Sequence, residues 1–180
     1  MGKYAQRAGA GAGFPDEAYV KMGAQIVETA KEKWEKCDFL AKVKEIEPSE
    51  YGYLRKGQMI YCCIHPAGHP EEVQAILDSK CIAITAEDSH RYGSPNCEAS
   101  ETLPMLLNIL NNGLKEACVR DGFIRRSLTA YEGYLTHEET SAIQNRPWIR
   151  PEDILEIADR KLDPAPPATT TRSDNFITCK

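Results

Sequence analysis

The sequence predicts a single α/β domain with a short parallel sheet flanked by helices, of the flavodoxin-like or Rossmann-like kind. Three short apolar runs, at 39–43, 59–64 and 81–85, lack a regular polar alternation. This pattern is typical of strands that are buried on both faces, as in a parallel sheet. A helical pattern at 71–79, opened by Pro70, lies between the second and third runs, and this order favours a right-handed crossover.

Apolar residues at three- and four-residue steps predict the remaining helices. They indicate a helix at 16–36, after Pro15, and a further helix at 151–162. Between these segments, polar residues 89–97 predict a loop. A leucine-rich stripe then predicts a helix at 102–118, formed by Leu103, Leu106, Leu107, Leu110 and Leu114. We expect this stripe to pack across the sheet as core.

The domain is expected to cover residues 1–162, since 180 residues suffice for one domain with a full core. The N-terminal part is 1–97 and the helices at 102–162 complete it. From Asp163 the composition turns to Pro, Ala, Thr and Ser, which predicts a flexible tail at 163–180.

Composition argues against several classes of function. The net charge of −5 gives no basic face for nucleic acid or for an anionic membrane. No apolar run approaches the roughly 18 residues of a membrane span, and no signal segment is visible at the N-terminus, so we expect a cytoplasmic protein. The seven cysteines, an odd number without a C-x-x-C pair, indicate reduced thiols. Adjacent Cys62 and Cys63 are expected to be inert thiols in a strand.

The glycine-rich segment 9–13 is a candidate phosphate loop. A dinucleotide site needs such glycines between a strand and a helix, and an acidic residue at the tip of the following strand. The sequence indicates neither a complete β-α-β unit here nor that acidic residue. We therefore interpret the segment as a turn and predict that this chain alone binds no nicotinamide cofactor.

Polar residues follow each of the three predicted strands, where parallel sheets bind their ligands. Lys44 ends the first run and His65 ends the second. A cation and an imidazole at one edge are capable of binding a zwitterion or a 2-oxo acid, although strand ends are also polar simply because loops are solvated. The polar residues after the third run are more simply explained as solvated loop residues: Glu87, Asp88 and His90.

His65 and His69 also allow a metal site, with Glu87, Asp88 or His90 as further ligands. Their spacing of four residues would suit a helix, but Pro66 and Pro70 indicate a loop. Histidines in such a loop are more often hydrogen-bonded or solvated than metal-bound, so we predict no metal site.

An ordered set of short segments carries a resemblance to a known family: 9–19, 23–27, 42–45, 57–58 and His65. At closely similar spacing they resemble the N-terminal, substrate-binding domain of the alanine dehydrogenase and pyridine nucleotide transhydrogenase family. The match continues through Ala86-Glu87 and weakens at 94–99. Residues 103–114 and 131–137 resemble the segment with which that family returns to the substrate domain after its NAD domain. The resemblance, over roughly residues 4–140, implies that the NAD domain is missing between about Cys97 and Thr102.

The resemblance also implies roles for two residues. Lys44 matches the lysine that holds the substrate carboxylate, and His65 matches the histidine that hydrogen-bonds the substrate carbonyl and assists proton transfer. The family's arginine for the carboxylate and its catalytic aspartate lie in segments without a counterpart here. The resemblance thus implies an alanine-dehydrogenase-like protein that binds a small 2-amino or 2-oxo acid, such as pyruvate. It would act as an oxidoreductase only if a partner supplied NAD.

Two alternatives remain open. One is a cofactor-free lyase, hydrolase or tautomerase that uses His65 and Lys44. The other is a catalytically inactive interaction subunit of a dehydrogenase. Part of the 102–118 helix could then form a surface for a second copy or for a dehydrogenase partner.

Overall fold

A five-stranded mixed sheet forms the centre of the computed structural model, which describes residues 3–88, 98–165 and 174–178. The strand order is β3-β4-β5-β6-β7. The first three are parallel: β3 (Phe39–Ala41), β4 (Met59–Cys62) and β5 (Ile82–Thr85). The last two run antiparallel to their neighbours: β6 (Leu128–Tyr131) and β7 (Tyr134–Leu135). The α/β class and the three parallel strands are confirmed, whereas a wholly parallel sheet is wrong.

The parallel strands form because their side chains are buried on both faces. Ile60 in β4 and Ile84 in β5 are fully buried, on opposite sides of the sheet. The crossover helix α3 (Pro70–Ser79) joins these two strands, and Lys80, its C-cap, adopts a left-handed conformation. The predicted β-α-β unit is therefore confirmed.

A tight hairpin adds the two antiparallel strands. Glu132 and Gly133 have φ angles of +50° and +88°, and two positive φ angles in a two-residue turn match a type I′ hairpin. The hydroxyls of Thr85 and Thr129 share a hydrogen bond between β5 and β6. Because of the hairpin, β7 runs in the same direction as β5, and the residue after each strand lies at the same edge.

The helix predicted at 16–36 is wrong. The structure has two helices, α1 (Asp16–Lys21) and α2 (Ala30–Lys36), with β2 (Gln25–Val27) between them. Gly23 has a φ of +87°, which lets the chain turn out of α1, and Thr29 caps α2 by accepting the Glu32 amide. β2 pairs in parallel with β1 (Lys3–Ala5), a contact that helical periodicity cannot reveal.

The helix predicted at 102–118 is two helices, α4 (Glu98–Asn112) and α5 (Leu114–Arg120). Gly113, with a φ of +77°, separates them. Met105 and Ile109 form the buried face of α4, whereas three leucines are 47–59% exposed: Leu103, Leu107 and Leu110. The expectation that the leucine stripe is core is therefore wrong for these three.

Three short helices complete the fold: α6 (Gly122–Ser127), α7 (Glu138–Gln144) and α8 (Pro151–Ile154). The helix predicted at 151–162 thus ends early, although Ile157 beyond it is still buried. Within the predicted tail, Phe176 packs edge-on against Trp148, whose backbone bonds to residues 175 and 177. The rest of the tail, 166–173 and 179–180, and the predicted loop 89–97 with His90 and Cys97 lie outside the described residues.

Candidate functional site

The carboxyl ends of β3, β4, β5 and β7 meet at one edge of the sheet, which we call the site edge. The segments that leave these strands carry Lys44, His65, Glu87 with Asp88, and His137. The predicted positions after the three parallel strands are therefore neighbours in the structure. The fourth group, after β7, was missed in the sequence.

Glu87 holds His65 at two points. Its Oε1 accepts the backbone N–H of His65 and lies 3.2 Å from the ring Nδ1. This contact accompanies an unusual backbone, because His65 has a φ of +48°. The His65 side chain remains 58% exposed, so the rest of the ring is open to a ligand. A proton on Nδ1 facing Glu87 would leave Nε2 free to accept one.

The pKa values of the two carboxyl groups after β5 are shifted in opposite directions. Burial raises the pKa of Glu87, although contacts with backbone amides and with His65 oppose the shift. Burial also acts on Asp88, but the contact with His137 and the charges of His137 and Arg126 outweigh it and lower the pKa of Asp88. Adjacent carboxyls whose pKa values are pushed apart can serve as an acid and a permanent anion.

Lys44 is the free cation of this edge within the described part of the chain. It is exposed and has no ion-pair partner there, whereas the nearby Lys42 is half-buried and paired with Glu50. The pKa of Glu45 is lowered by a backbone hydrogen bond and by the charges of Lys44, His69 and His65. These charges therefore share one neighbourhood.

His137 lies buried beside the site edge, at the start of α7. Its Nδ1 accepts the Thr140 N–H, and its Nε2 lies 2.8 Å from Asp88 Oδ2 and 3.3 Å from Glu139 Oε2. Arg126 in turn donates to Glu139 at 3.0 Å. The hairpin brings this network to the edge, and the Glu132-Gly133 pair between two tyrosines is the sequence signal that could have located it.

The lowered pKa of Asp88 predicts a pH effect on stability. A carboxyl whose pKa falls on folding stabilises the native state above its ordinary value of 3.8, and this stabilisation is lost as the pH falls through the lower folded value. We therefore expect Asp88→Asn to lower the Tm at pH 7 and to have progressively less effect below about pH 4. Thermal denaturation followed by circular dichroism measures this. The exposed Asp159→Asn is the control, and a Tm difference that does not shrink as the pH falls below about 4 would contradict the assignment.

The metal site considered above is not assembled among the residues that the structure describes. No three His, Cys, Asp or Glu side chains there come together as ligands. His65 faces Glu87. The Nδ1 atom of His69 instead lies 3.3 Å from Oε2 of Glu72, a residue of α3. His90 lies outside the described residues. Cys62 is buried, and burial raises its pKa far above the ordinary value, which is unlike a nucleophilic thiol.

The glycine-rich segment does lie in a β-α-β unit, which corrects the expectation from the sequence. β1 precedes it, α1 and β2 follow, and Glu28 stands directly after β2. However, α1 has six residues, and four amides of the loop donate within the loop itself. The N–H groups that donate to loop carbonyls are those of Ala10, Ala12, Gly13 and Phe14.

Two further contacts show that this segment does not fit a pyrophosphate. Asp16 at the start of α1 accepts the Arg7 N–H, so a carboxylate stands where the anion would have to bind. A Cβ on Gly9 would lie 2.2 Å from the Tyr19 hydroxyl, so this glycine serves the packing of the loop.

Comparison with known families identifies the chain. Residues 5–94 match the model of the alanine dehydrogenase/PNT N-terminal domain. The chain belongs to this family. The matched range contains Lys44, His65, Glu87 and Asp88, whereas Arg126, His137 and Glu139 lie beyond it. As a family member, the chain has an alanine-dehydrogenase-like substrate domain of an oxidoreductase family.

Individual relatives are alanine dehydrogenases. The chain is 38% identical to the alanine dehydrogenase of Bacillus subtilis over 99 residues, which are 55% of this chain and 24% of that protein. It is 44% identical to the alanine dehydrogenase of Bilophila wadsworthia over 80 residues, which are 44% of this chain and 21% of the relative. The chain thus spans about a quarter of the length of these relatives.

Two solved structures resemble parts of the chain. An L-alanine dehydrogenase matches with a TM-score of 0.47 and 34% identity, covering 59% of this chain and 27% of that one. A transhydrogenase from Sinorhizobium meliloti matches with a TM-score of 0.46 and 21% identity, covering 63% of this chain and 32% of that one.

The helices in the described part of the chain are too short or too polar for any of them to span a membrane.

Proposed function

We propose that the chain binds a small 2-oxo or 2-amino acid at the site edge. Lys44 holds the ligand carboxylate by a charge-assisted hydrogen bond, and His65 contacts the neighbouring carbonyl or amine. The observation that carries the proposal is the open His65 ring, held by Glu87 beside a lysine that has no ion-pair partner among the described residues. The family membership of the matched range supports the same ligand class.

The affinity is expected to be modest. The site edge offers one unpaired cation for the carboxylate within the described chain, and a single exposed lysine makes one flexible contact. We expect a Kd in the millimolar range, roughly −4 kcal/mol. Oxidoreductase activity is part of this proposal only for an assembly in which a partner chain supplies NAD.

Lys44→Ala is expected to weaken pyruvate binding by about 1.5–3 kcal/mol, the contribution of a hydrogen bond to a charged group. His65→Ala should weaken binding less, because its contact with the ligand is not between opposite full charges. Isothermal titration with pyruvate and with alanine measures both effects. Lys56→Ala is the matched control, since this exposed lysine precedes β4 at the opposite edge of the sheet. Equal affinities of wild type and Lys44→Ala would contradict the proposal.

A second candidate function is cofactor-free proton transfer, favoured by the His65–Glu87 pair. His65 Nε2 would take a proton from the methyl group of bound pyruvate while the electron pair moves onto the carbonyl oxygen. Return of a proton from the same imidazole restores the ketone. In D₂O this reaction exchanges methyl hydrogen for deuterium, which NMR detects. Exchange no faster than in buffer, or equal exchange with His65→Ala, would exclude it.

A further inference from the structure

Glu72 is a buried acidic residue that the proposed site does not itself use. It lies on α3, is 1% exposed, and its Oε1 accepts the Ile46 N–H at 2.7 Å. Its Oε2 lies 3.3 Å from His69 Nδ1. One side chain thus connects the segment after β3, which carries Lys44, with the segment after β4, which carries His65.

The Ile46 contact fixes the far end of the segment 43–46, which we call the Lys44 turn. On the near side, the Val43 carbonyl accepts the Cys63 N–H at 3.3 Å, so the turn is tied to the β4 segment there. Lys44 and Glu45 lie between these two anchors. Without an acceptor at Glu72, the buried Ile46 N–H would have to turn toward water, because an unpaired buried amide is costly. This rotation of the Ile46 peptide group would move Lys44.

We infer that Glu72 is a positioning residue, which holds the Lys44 turn in place for a ligand carboxylate and couples it to the His65 segment. This inference rests on the proposed function for its effect on affinity. The bond to Ile46 is a property of the fold and can be measured separately. Burial raises the pKa of Glu72 to about 7, so a neutral side chain is a fair substitute near that pH.

Two substitutions separate positioning from general stability. Glu72→Gln keeps a carbonyl oxygen for the Ile46 N–H, whereas Glu72→Leu fills a similar volume without an acceptor. The neighbouring Glu71→Leu is the matched control, since Glu71 is exposed on the same helix. Amide hydrogen exchange at Ile46 and titration with pyruvate are measured on all three variants and on the wild type.

We expect Glu72→Leu to speed exchange at Ile46 and to weaken pyruvate binding roughly tenfold, the loss of one charge-assisted contact. Glu72→Gln and Glu71→Leu should match the wild type in both measurements. Unchanged exchange at Ile46 in Glu72→Leu would overturn the inference, and so would unchanged affinity. If Glu72→Leu does not fold, loss of Ile46 protection in Glu72→Gln overturns it equally. A wild type that binds neither pyruvate nor alanine refutes the proposed function, and the positioning role with it, even where Ile46 exchange responds.

Discussion

Replacement of Arg125 by alanine is expected to destabilise the domain by roughly 3–5 kcal/mol, because it breaks the ion pair of a buried arginine and leaves two backbone carbonyls without their donor. Arg125 is 4% exposed and makes three hydrogen bonds. It donates to the Cys118 carbonyl at 2.7 Å and to the Asp163 carbonyl at 2.6 Å, and its Nε bonds to Glu152 at 2.8 Å. It therefore joins the end of α5, the segment at 163 and α8. Alanine would leave these acceptors without their donor.

Arg120→Ala provides the comparison. Arg120 also pairs with a glutamate, Glu116 at 2.7 Å, but the Arg120 side chain is 57% exposed and that of Glu116 30%. Exposed pairs contribute about 0–1 kcal/mol, so this variant should be close to the wild type. Urea denaturation at pH 7 measures both free energies of unfolding. Similar, small losses at the two positions would show that Arg125 is not structurally essential.

Ile109→Ala is expected to cost about 2–5 kcal/mol, because it removes a buried side chain and leaves a cavity. Leu110→Ala, one position along α4, should cost less than about 1 kcal/mol, as is usual for surface substitutions. Ile109 is 3% exposed and packs in the main core cluster, whereas Leu110 is 59% exposed. The adjacent pair serves as its own control, since both residues lie in the same helix and their side chains have similar volumes.

A large loss at Leu110 in this comparison would mean that the leucine face of α4 is buried in the protein in solution, against a second copy or another chain. The losses would then depend on protein concentration. With the expected result, Leu103, Leu107 and Leu110 form an exposed apolar face of the isolated chain. The partner surface expected from the sequence for this helix remains a prediction.

The amino-acid sequence by itself was sufficient for the parallel half of the sheet. β4 and β5 are short runs buried on both faces, and the helix between them leaves few topologies. Because the residue after a parallel strand lies at a shared edge, the sequence also located Lys44 and His65 together. The sequence also has Glu87 and Asp88 after the third parallel strand, but it predicts only a solvated loop there. Nothing in the local sequence shows that Glu87 contacts His65.

Only the tertiary structure decided the rest, because those features depend on pairing between distant residues. Helical spacing at 16–36 is real, yet the segment around Ile26 becomes a strand since β1 is there to pair with it. The face of α4 that is buried depends on what packs against Met105 and Ile109, which periodicity cannot report. His137 reaches Asp88 because a hairpin folds back along β5, across about fifty residues of chain. Local propensity reports how a segment prefers to fold, whereas these contacts depend on which partner the segment meets.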